Sequence, residues 1–345
     1  DIPSGLCADS GRVLGAAIRA DLTVAFHRAK PGHYLCDGPD HCGALTVADI
    51  GLPLGAGGIA LCTAPGEAEI AKRAGHKYGH GHALVLTGGA GRTGAARLAA
   101  RAALRIGAGV VTLGVPGAAQ MEVACQITAP MLRRVEDGAG LAAVLDDPRV
   151  NALCLGPGMG LERARDLVAV AVRHERAPYA VLDADALTAF EDAPDALFEM
   201  LHEDCVLTPH AGEFARLFPD IAARLAAPAT EGPAFSKVDA VRAAAARAGC
   251  VVLLKGPDTV IAAPGGRAAI HAAAYERAAP WLATAGAGDV LAGLITGLMA
   301  RRLAPMQAAE AAAWLHVEAA RRFGPGLIAE DLPEALPDAL RALGA

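Results

Sequence analysis

From residue 83 onward, short runs rich in β-branched residues and leucine alternate with longer alanine-rich segments. That alternation predicts an α/β fold in which helices cover a mostly parallel sheet. Strands are expected at Ala83–Leu86, Gly109–Val115, Ala152–Leu155, Tyr179–Leu182, Cys205–Thr208 and Val251–Lys255, with two short ones around Val260–Ala262 and Ala268–Ala272. Helices are expected at Ala95–Ile106, Arg163–His174, Lys237–Ala248, Val290–Arg302 and Ala308–Phe323. Nearly every strand runs into Gly, Pro or Asp. Ligands of open α/β sheets gather in the crevice at the carboxyl ends of the strands, so the chemistry is expected there.

The front of the chain reads differently. Asp21–Phe26 has the character of a strand, but Gly and Pro are frequent before residue 60 and no independent core is visible. A segment of that size is marginal alone. The Pro/Gly-rich stretch Pro53–Pro65 is the best boundary, dividing residues 1–60 from 61–345. No internal repeat or low-complexity tract interrupts either part.

Composition narrows the class. With 345 residues, 53% apolar and 20% charged, the chain has the makings of a large folded core and not of a disordered segment. Aromatic residues are only 4%, which leaves little for base stacking, and a net charge of -6 with no long Lys/Arg run argues against a nucleic-acid partner. Trp281–Ala300 is apolar enough to suggest a membrane span and holds Gly293 and Gly297 at the spacing of a membrane-helix dimer motif. Asp289 defeats that reading, since a carboxylate near mid-bilayer is costly, and Gly286 and Gly288 read as a turn opening a shorter helix. No basic segment followed by an apolar one opens the sequence, so the expected location is the cytoplasm. The eight cysteines are scattered, and Cys154, Cys205 and Cys250 beside apolar runs read as reduced, buried thiols.

The most informative segment is Leu282-Ala283-Thr284-Ala285-Gly286-Ala287-Gly288-Asp289-Val290-Leu291-Ala292-Gly293. A Gly-rich turn feeding a helix aims several backbone N–H groups at one point, and the helix dipole adds partial positive charge, which suits a phosphate. Asp289 at the mouth of that hole can accept the proton of a substrate hydroxyl as a phosphoryl group arrives. The structural alternative is a tight turn with Asp289 as a helix cap. Lys255-Gly256-Pro257-Asp258-Thr259 follows a strand and offers a cation and a hydroxyl to nucleotide phosphates. Leu207-Thr208-Pro209-His210-Ala211-Gly212-Glu213-Phe214 ends another, with His210 and Glu213 able to face one pocket. Leu86-Thr87-Gly88-Gly89, Gly94-Ala95-Ala96-Arg97-Leu98, Gly156-Pro157-Gly158-Met159-Gly160 and Leu182-Asp183-Ala184-Asp185-Ala186-Leu187 close further strands or open helices. Each alone has an ordinary turn reading.

The Gly286–Asp289 segment resembles the anion hole and base of ribokinase-like enzymes, vitamin kinases included. Taken together and in this order, the segments resemble the NAD(P)H-hydrate dehydratase family. That resemblance implies a ribokinase-like sheet and ADP-dependent dehydration of the S-epimer of hydrated NADH or NADPH, with ATP as the alternative nucleotide. It assigns substrate contacts to Ala95, Gly158, His210 and Asp289, and nucleotide contacts to Lys255, Gly256, Pro257, Asp258, Thr259 and Gly288. Asp289 is the implied base, and Mg²⁺ the implied partner of the nucleotide phosphates. The family usually has Pro at the position of Ala211 and often Thr or Ser at that of Ala287; neither departure removes the base or a backbone donor.

Asp1-Ile2-Pro3-Ser4-Gly5-Leu6, Ala20–Val24 and Lys30–His33 resemble the closing portion of the NAD(P)H-hydrate epimerase domain. The resemblance implies a substrate role for the position of Asp1 and a potassium site at that of Ser4. The family's upstream Asn/Gly-rich segment is not in this sequence, and epimerase activity is not expected. His33, Cys36, His41 and Cys42 are N and S donors, but their spacings match no familiar zinc pattern. His76, His80 and His82 read as an exposed linker entering the first strand. A symmetric oligomer is the expectation for this class of enzyme. A kinase that stops after phosphorylation and a non-catalytic nucleotide-binding scaffold are the competing readings.

Overall fold

The computed structural model describes residues 1–53, 58–176 and 178–345; residues 54–57, inside the Pro53–Pro65 stretch, lie outside that description. A small parallel pair, β1 (Leu22–Phe26) and β2 (Ala44–Ala48), stands in the front segment. It leaves Leu22, Val24, Phe26 and Val47 exposed, while Ala25, Leu35 and Cys42 of the same segment are buried, Leu35 within the core of the large sheet.

All other described strands join one sheet. They are β3 (Ile59–Leu61), β4 (His82–Leu86), β5 (Val110–Val115), β6 (Met131–Arg134), β7 (Val150–Leu155), β8 (Tyr179–Leu182), β9 (Cys205–Leu207), β10 (Val251–Leu254), β11 (Asp258–Ala262) and β12 (Ala268–Ala272). Their order is β3-β12-β11-β10-β9-β8-β7-β4-β5-β6. Pairing is parallel from β10 through to β6, while β11 turns back antiparallel on β10 and on β12. Strand β3 pairs in parallel with β12 and so carries the chain into the sheet across residue 60.

The strands of the parallel region are buried on both faces because helices cover both. In β4, Ala83 and Val85 enter one apolar core with the helices Gly94–Arg105, Ala287–Ala300 and Pro305–Phe323, while Leu84 and Leu86 enter the other with Leu161–Val172 and Lys237–Ala248. The segment that imitates a membrane span is the helix Ala287–Ala300, buried along almost its whole length. A helix apolar all round belongs inside something. Here the interior is protein: a Cβ on Gly293 would lie 2.2 Å from the Ala99 carbonyl oxygen, and one on Gly297 2.4 Å from Ile106 Cγ2. The two glycines let two helices of one chain touch, and no helix among the described residues is long and apolar enough to cross a membrane.

The expected elements are present with shifted ends. Strand β10 stops at Leu254, which leaves Lys255 at its tip, and the helix expected from Val290 begins at Ala287, which places Asp289 in its first turn. Sequence patterning missed β2, β3, β6, shorter helices such as Gly138–Leu145, Ala211–Leu217 and Pro219–Ala226, and the C-terminal helix Asp331–Ala342. Three of these are strands of three to five residues, too short to carry a period, and the C-terminal helix contains Pro333 and Pro337, residues that read as breakers. His82 departs from the exposed-linker reading: it opens β4, is buried, and its Nε2 lies 2.7 Å from Thr112 Oγ1.

Candidate active site

The chain builds β4, β5 and β6 toward one edge and then returns to the other side of β4 with β7, β8, β9 and β10. The switch point between β4 and β7 opens a crevice at their carboxyl ends. Two glycine segments meet there. A Cβ on Gly88 would lie 1.9 Å from the Gly158 carbonyl oxygen, and one on Gly156 1.6 Å from that of Asp183. Gly156 and Gly158 have φ of 118° and 68°, a region costly for other residues. The same loop places Gly158 beside Ala95 at the start of the helix Gly94–Arg105; a Cβ on Gly158 would be 3.7 Å from Ala95 Cβ.

Next along the sheet, β8 delivers Asp183, which is 1% exposed. Strand β9 delivers His210 as N-cap of the helix Ala211–Leu217. The cap is reciprocal: His210 Nδ1 accepts from the Gly212 and Glu213 N–H groups at 2.9 and 3.3 Å, while Glu213 Oε2 accepts from the His210 N–H at 2.8 Å. Because Nδ1 accepts, Nε2 of the neutral ring carries the proton, and it lies 3.4 Å from Glu213 Oε1. Strand β10 delivers Lys255, whose Nζ donates to Asp183 Oδ1 at 2.6 Å and lies 3.9 Å from Glu213 Oε2.

Above these strand ends sits the start of the helix Ala287–Ala300. Gly286, at φ 90°, turns the chain into it. Gly288 lies against the tip of Lys255: a Cβ there would be 3.4 Å from Lys255 Nζ, an ordinary contact distance. The turn, the helix N-terminus and the ammonium thus converge on one point where a phosphate is favoured. Asp289 shares it. Burial first, and then the Asp183 carboxylate, push the Asp289 carboxyl up to about 6, with Lys255 pulling the other way. Burial also acts against the Lys255 charge, but Asp183 and Glu213 outweigh it and its pKa is raised. A carboxylate tuned to about 6 beside a fixed ammonium suits a general base working near neutral pH.

A cavity of about 660 Å³ adjoins this point. Lys255, Gly256, Pro257, Thr259, Gly288 and His210 all line it, so the structure gathers those sequence-predicted residues in one place. Asp258 does not line it: its carboxylate accepts from Lys237 Nζ at 2.7 Å and from the Cys36 N–H at 3.0 Å, which ties the loop to the front segment. Nor do Asp1 or Ser4. Asp1 stays in the front segment, with its carboxylate 3.3 Å from Lys30 Nζ, and Ser4 is an exposed turn residue. His33 Nδ1 is occupied by the Lys30 N–H and His41 Nδ1 lies 2.9 Å from the Asp37 carbonyl oxygen, so local contacts already use those rings.

Three contributions were not singled out from sequence. Asp183 lies in a quoted segment, but nothing in that segment says that it grips Lys255, seventy-two positions away. His271 and His316 line the cavity and are held neutral by burial, their pKa values lowered to about 3 and about 4. His316 Nε2 is buried with no hydrogen-bond partner among the described residues. Isolated histidines in apolar runs carry no sequence signal of this kind.

With this geometry in place, comparison with known proteins is direct. A sequence profile described as NAD(P)H-hydrate dehydratase matches residues 83–340, and one described as YjeF-related protein N-terminus matches residues 1–32. The bifunctional NAD(P)H-hydrate repair enzyme Nnr of Salinibacter ruber is 36% identical over 367 residues, covering 98% of this chain and 64% of that enzyme. Its counterpart from Moorella thermoacetica is 38% identical over 368 residues, covering 99% and 66%. The chain therefore spans slightly less than two thirds of the length of these relatives. Among solved structures, the ADP/ATP-dependent NAD(P)H-hydrate dehydratase from Bacillus subtilis, co-crystallised with ATP and Mg²⁺, superposes with a TM-score of 0.63 at 24% identity, covering 81% of this chain and 99% of that one. A ribokinase-like superfamily protein from Enterococcus faecalis gives 0.67 at 20% identity, covering 85% and 99%. These two likenesses establish the ribokinase-like fold expected from the sequence. With a profile matching well over half of its residues, the chain belongs to the NAD(P)H-hydrate dehydratase family.

Proposed function

We propose that the chain dehydrates the S-epimer of hydrated NADH or NADPH, using ADP, with ATP as the alternative, to turn the C6 hydroxyl into a phosphate that can leave. The observation that carries this reading is the convergence of Asp289, Lys255 and the Gly286–Gly288 turn between a nucleotide-sized cavity and the glycine-lined switch point. Hydroxide is a poor leaving group, so a site that can phosphorylate it and hold the resulting anion removes the main barrier.

Asp289 accepts the hydroxyl proton while the substrate oxygen forms a bond to the terminal phosphorus of the nucleotide. The bond from that phosphorus to the bridging oxygen breaks, and the nucleotide leaves one phosphate shorter, AMP from ADP. The backbone N–H groups at the helix start and the Lys255 ammonium stabilise the negative charge that gathers on the phosphoryl oxygens. The lone pair on the ring nitrogen then expels phosphate from C6, and loss of a proton from C5 to the departing phosphate restores the dihydropyridine. Ala95 and Gly158, small and close together, leave room for the ring at the switch point.

Magnesium fits as a passenger on the nucleotide phosphates, whose charge it would neutralise. The carboxylates beside Lys255, Asp183 and Glu213, are engaged by Lys255 and by the His210 N–H, and no described group of three or more His, Cys, Asp or Glu side chains is disposed to cage an ion. We place the division between an epimerase-related front segment and the dehydratase domain near residue 60. The resemblance assigns the substrate position of Asp1 and the potassium position of Ser4 to the front segment.

Incubating the chain with hydrated NADH, Mg²⁺ and ADP or ATP should restore NADH absorbance, and Asp289→Asn should abolish the recovery. No recovery by the unsubstituted chain, together with nucleotide-dependent phosphorylation of a thiazole or pyrimidine alcohol, would move the assignment to a vitamin-type kinase.

A further inference from the structure

A second cavity, of about 610 Å³, runs along the flank of the helix Gly94–Arg105 and shares no lining residue with the nucleotide cavity. Gly286 stands between them. It precedes Ala287, which lines the nucleotide cavity, and its Cβ position lies 2.9 Å from Leu98 Cδ1, a wall of the second. The second cavity begins at Gly94, next to Ala95.

Its charged lining is mostly basic. Arg97, Arg101 and Arg105 follow at four-residue spacing on one helix face, against Glu330. Arg101 and Arg105 both pair with Glu334, which reduces their pull on a ligand. Arg97 stands outside that pairing. Its Nη1 donates to Gln126 Oε1 at 3.1 Å, and its Nε is buried with no hydrogen-bond partner among the described residues. A buried donor without an acceptor is costly, and a guanidinium is shaped to take two phosphate oxygens at once.

We infer that this groove binds the phosphate-bearing adenosine half of the hydrated dinucleotide, with Arg97 as its anchor. The inference rests on the proposed reaction. If the ring is held at Ala95, Gly158 and Asp289, and the phosphoryl donor approaches from Lys255, the rest of a long anionic substrate needs an exit away from the donor. The arginine-lined groove beginning beside Ala95 supplies one, and its volume is in the range of small-molecule sites.

The test compares the unsubstituted chain with Arg97→Gln on two substrates, hydrated NADH and hydrated reduced nicotinamide mononucleotide, which lacks the adenosine half. The substitution should raise KM for the dinucleotide about tenfold, the range of one charge-assisted contact. Its kcat, its KM for ADP and its kinetics on the mononucleotide should stay put, which also reports an intact fold. Added salt should raise the dinucleotide KM more in the unsubstituted chain than in the variant. An equal KM rise for both substrates, or none for either, overturns the inference. Binding of NADH itself, followed by its fluorescence, separates the groove from the reaction. Tight binding that weakens in Arg97→Gln upholds the groove even if no turnover is seen, whereas turnover with binding indifferent to Arg97 upholds the reaction and removes the groove.

Discussion

Replacing Asp183 by Asn keeps the shape of the side chain and removes its charge, and the structure predicts two separable consequences. Lys255, whose side chain is only 19% exposed, loses an acceptor at 2.6 Å and keeps Glu213 at 3.9 Å. Removing one member of a buried ion pair costs about 3–5 kcal/mol, and the remaining carboxylate should hold the loss near the lower end, about 3 kcal/mol. The second consequence lies in Asp289. Its carboxyl is raised to about 6 by burial and then by the Asp183 charge. Without that charge its pKa should fall toward the ordinary 3.8 without reaching it, because burial, the larger cause, is untouched. A base must be deprotonated to act, so the acid limb of the rate should move to lower pH. Urea unfolding measures the first effect, and initial rates of NADH recovery between pH 4 and pH 8 at saturating nucleotide measure the second. A limb that stays near 6 or moves upward would mean that Asp183 does not raise the Asp289 pKa, and a stability loss below about 1 kcal/mol that it does not hold Lys255.

Three further outcomes follow from the same geometry. In the unsubstituted chain, NADH recovery at saturating substrate should fall as pH drops through about 6, since Asp289 then takes up a proton; a flat profile from pH 5 to 8 would exclude Asp289 as the titrating base. Gly293→Ala drives a methyl group to 2.2 Å from a backbone oxygen of the neighbouring helix and should cost about 1–3 kcal/mol or more by urea denaturation. An unchanged midpoint would mean that the two helices are not in that contact. Asp258→Asn should cost about 1.5–3 kcal/mol by weakening the charged contact with Lys237, while KM for ADP changes little; a large rise in KM at unchanged stability would assign its carboxylate to the nucleotide instead.

The alternation of strand-like and helical runs and the Gly286–Asp289 turn were legible because each is a local pattern: burial on two faces makes continuous apolar strands, and a phosphate-binding helix start needs glycine next to it. Family resemblance added the roles proposed for Lys255, His210, Gly158 and Ala95. Tertiary structure settled matters that no local pattern encodes. It set Asp183 and Glu213 around Lys255, engaged the Asp258 carboxylate with Lys237 and the Cys36 N–H, and buried His82 at the start of β4. It also gave Gly293 and Gly297 their meaning. Their spacing is the same in a membrane dimer and in a packed core, and only the position of Ala99 and Ile106, almost two hundred residues earlier, decides between the two. Candidate residues for the chemistry could be named from the sequence alone, because residue type and local backbone set what a side chain can do. Which charges those residues feel is a property of distances across the sheet, and those distances exist only once the chain has folded.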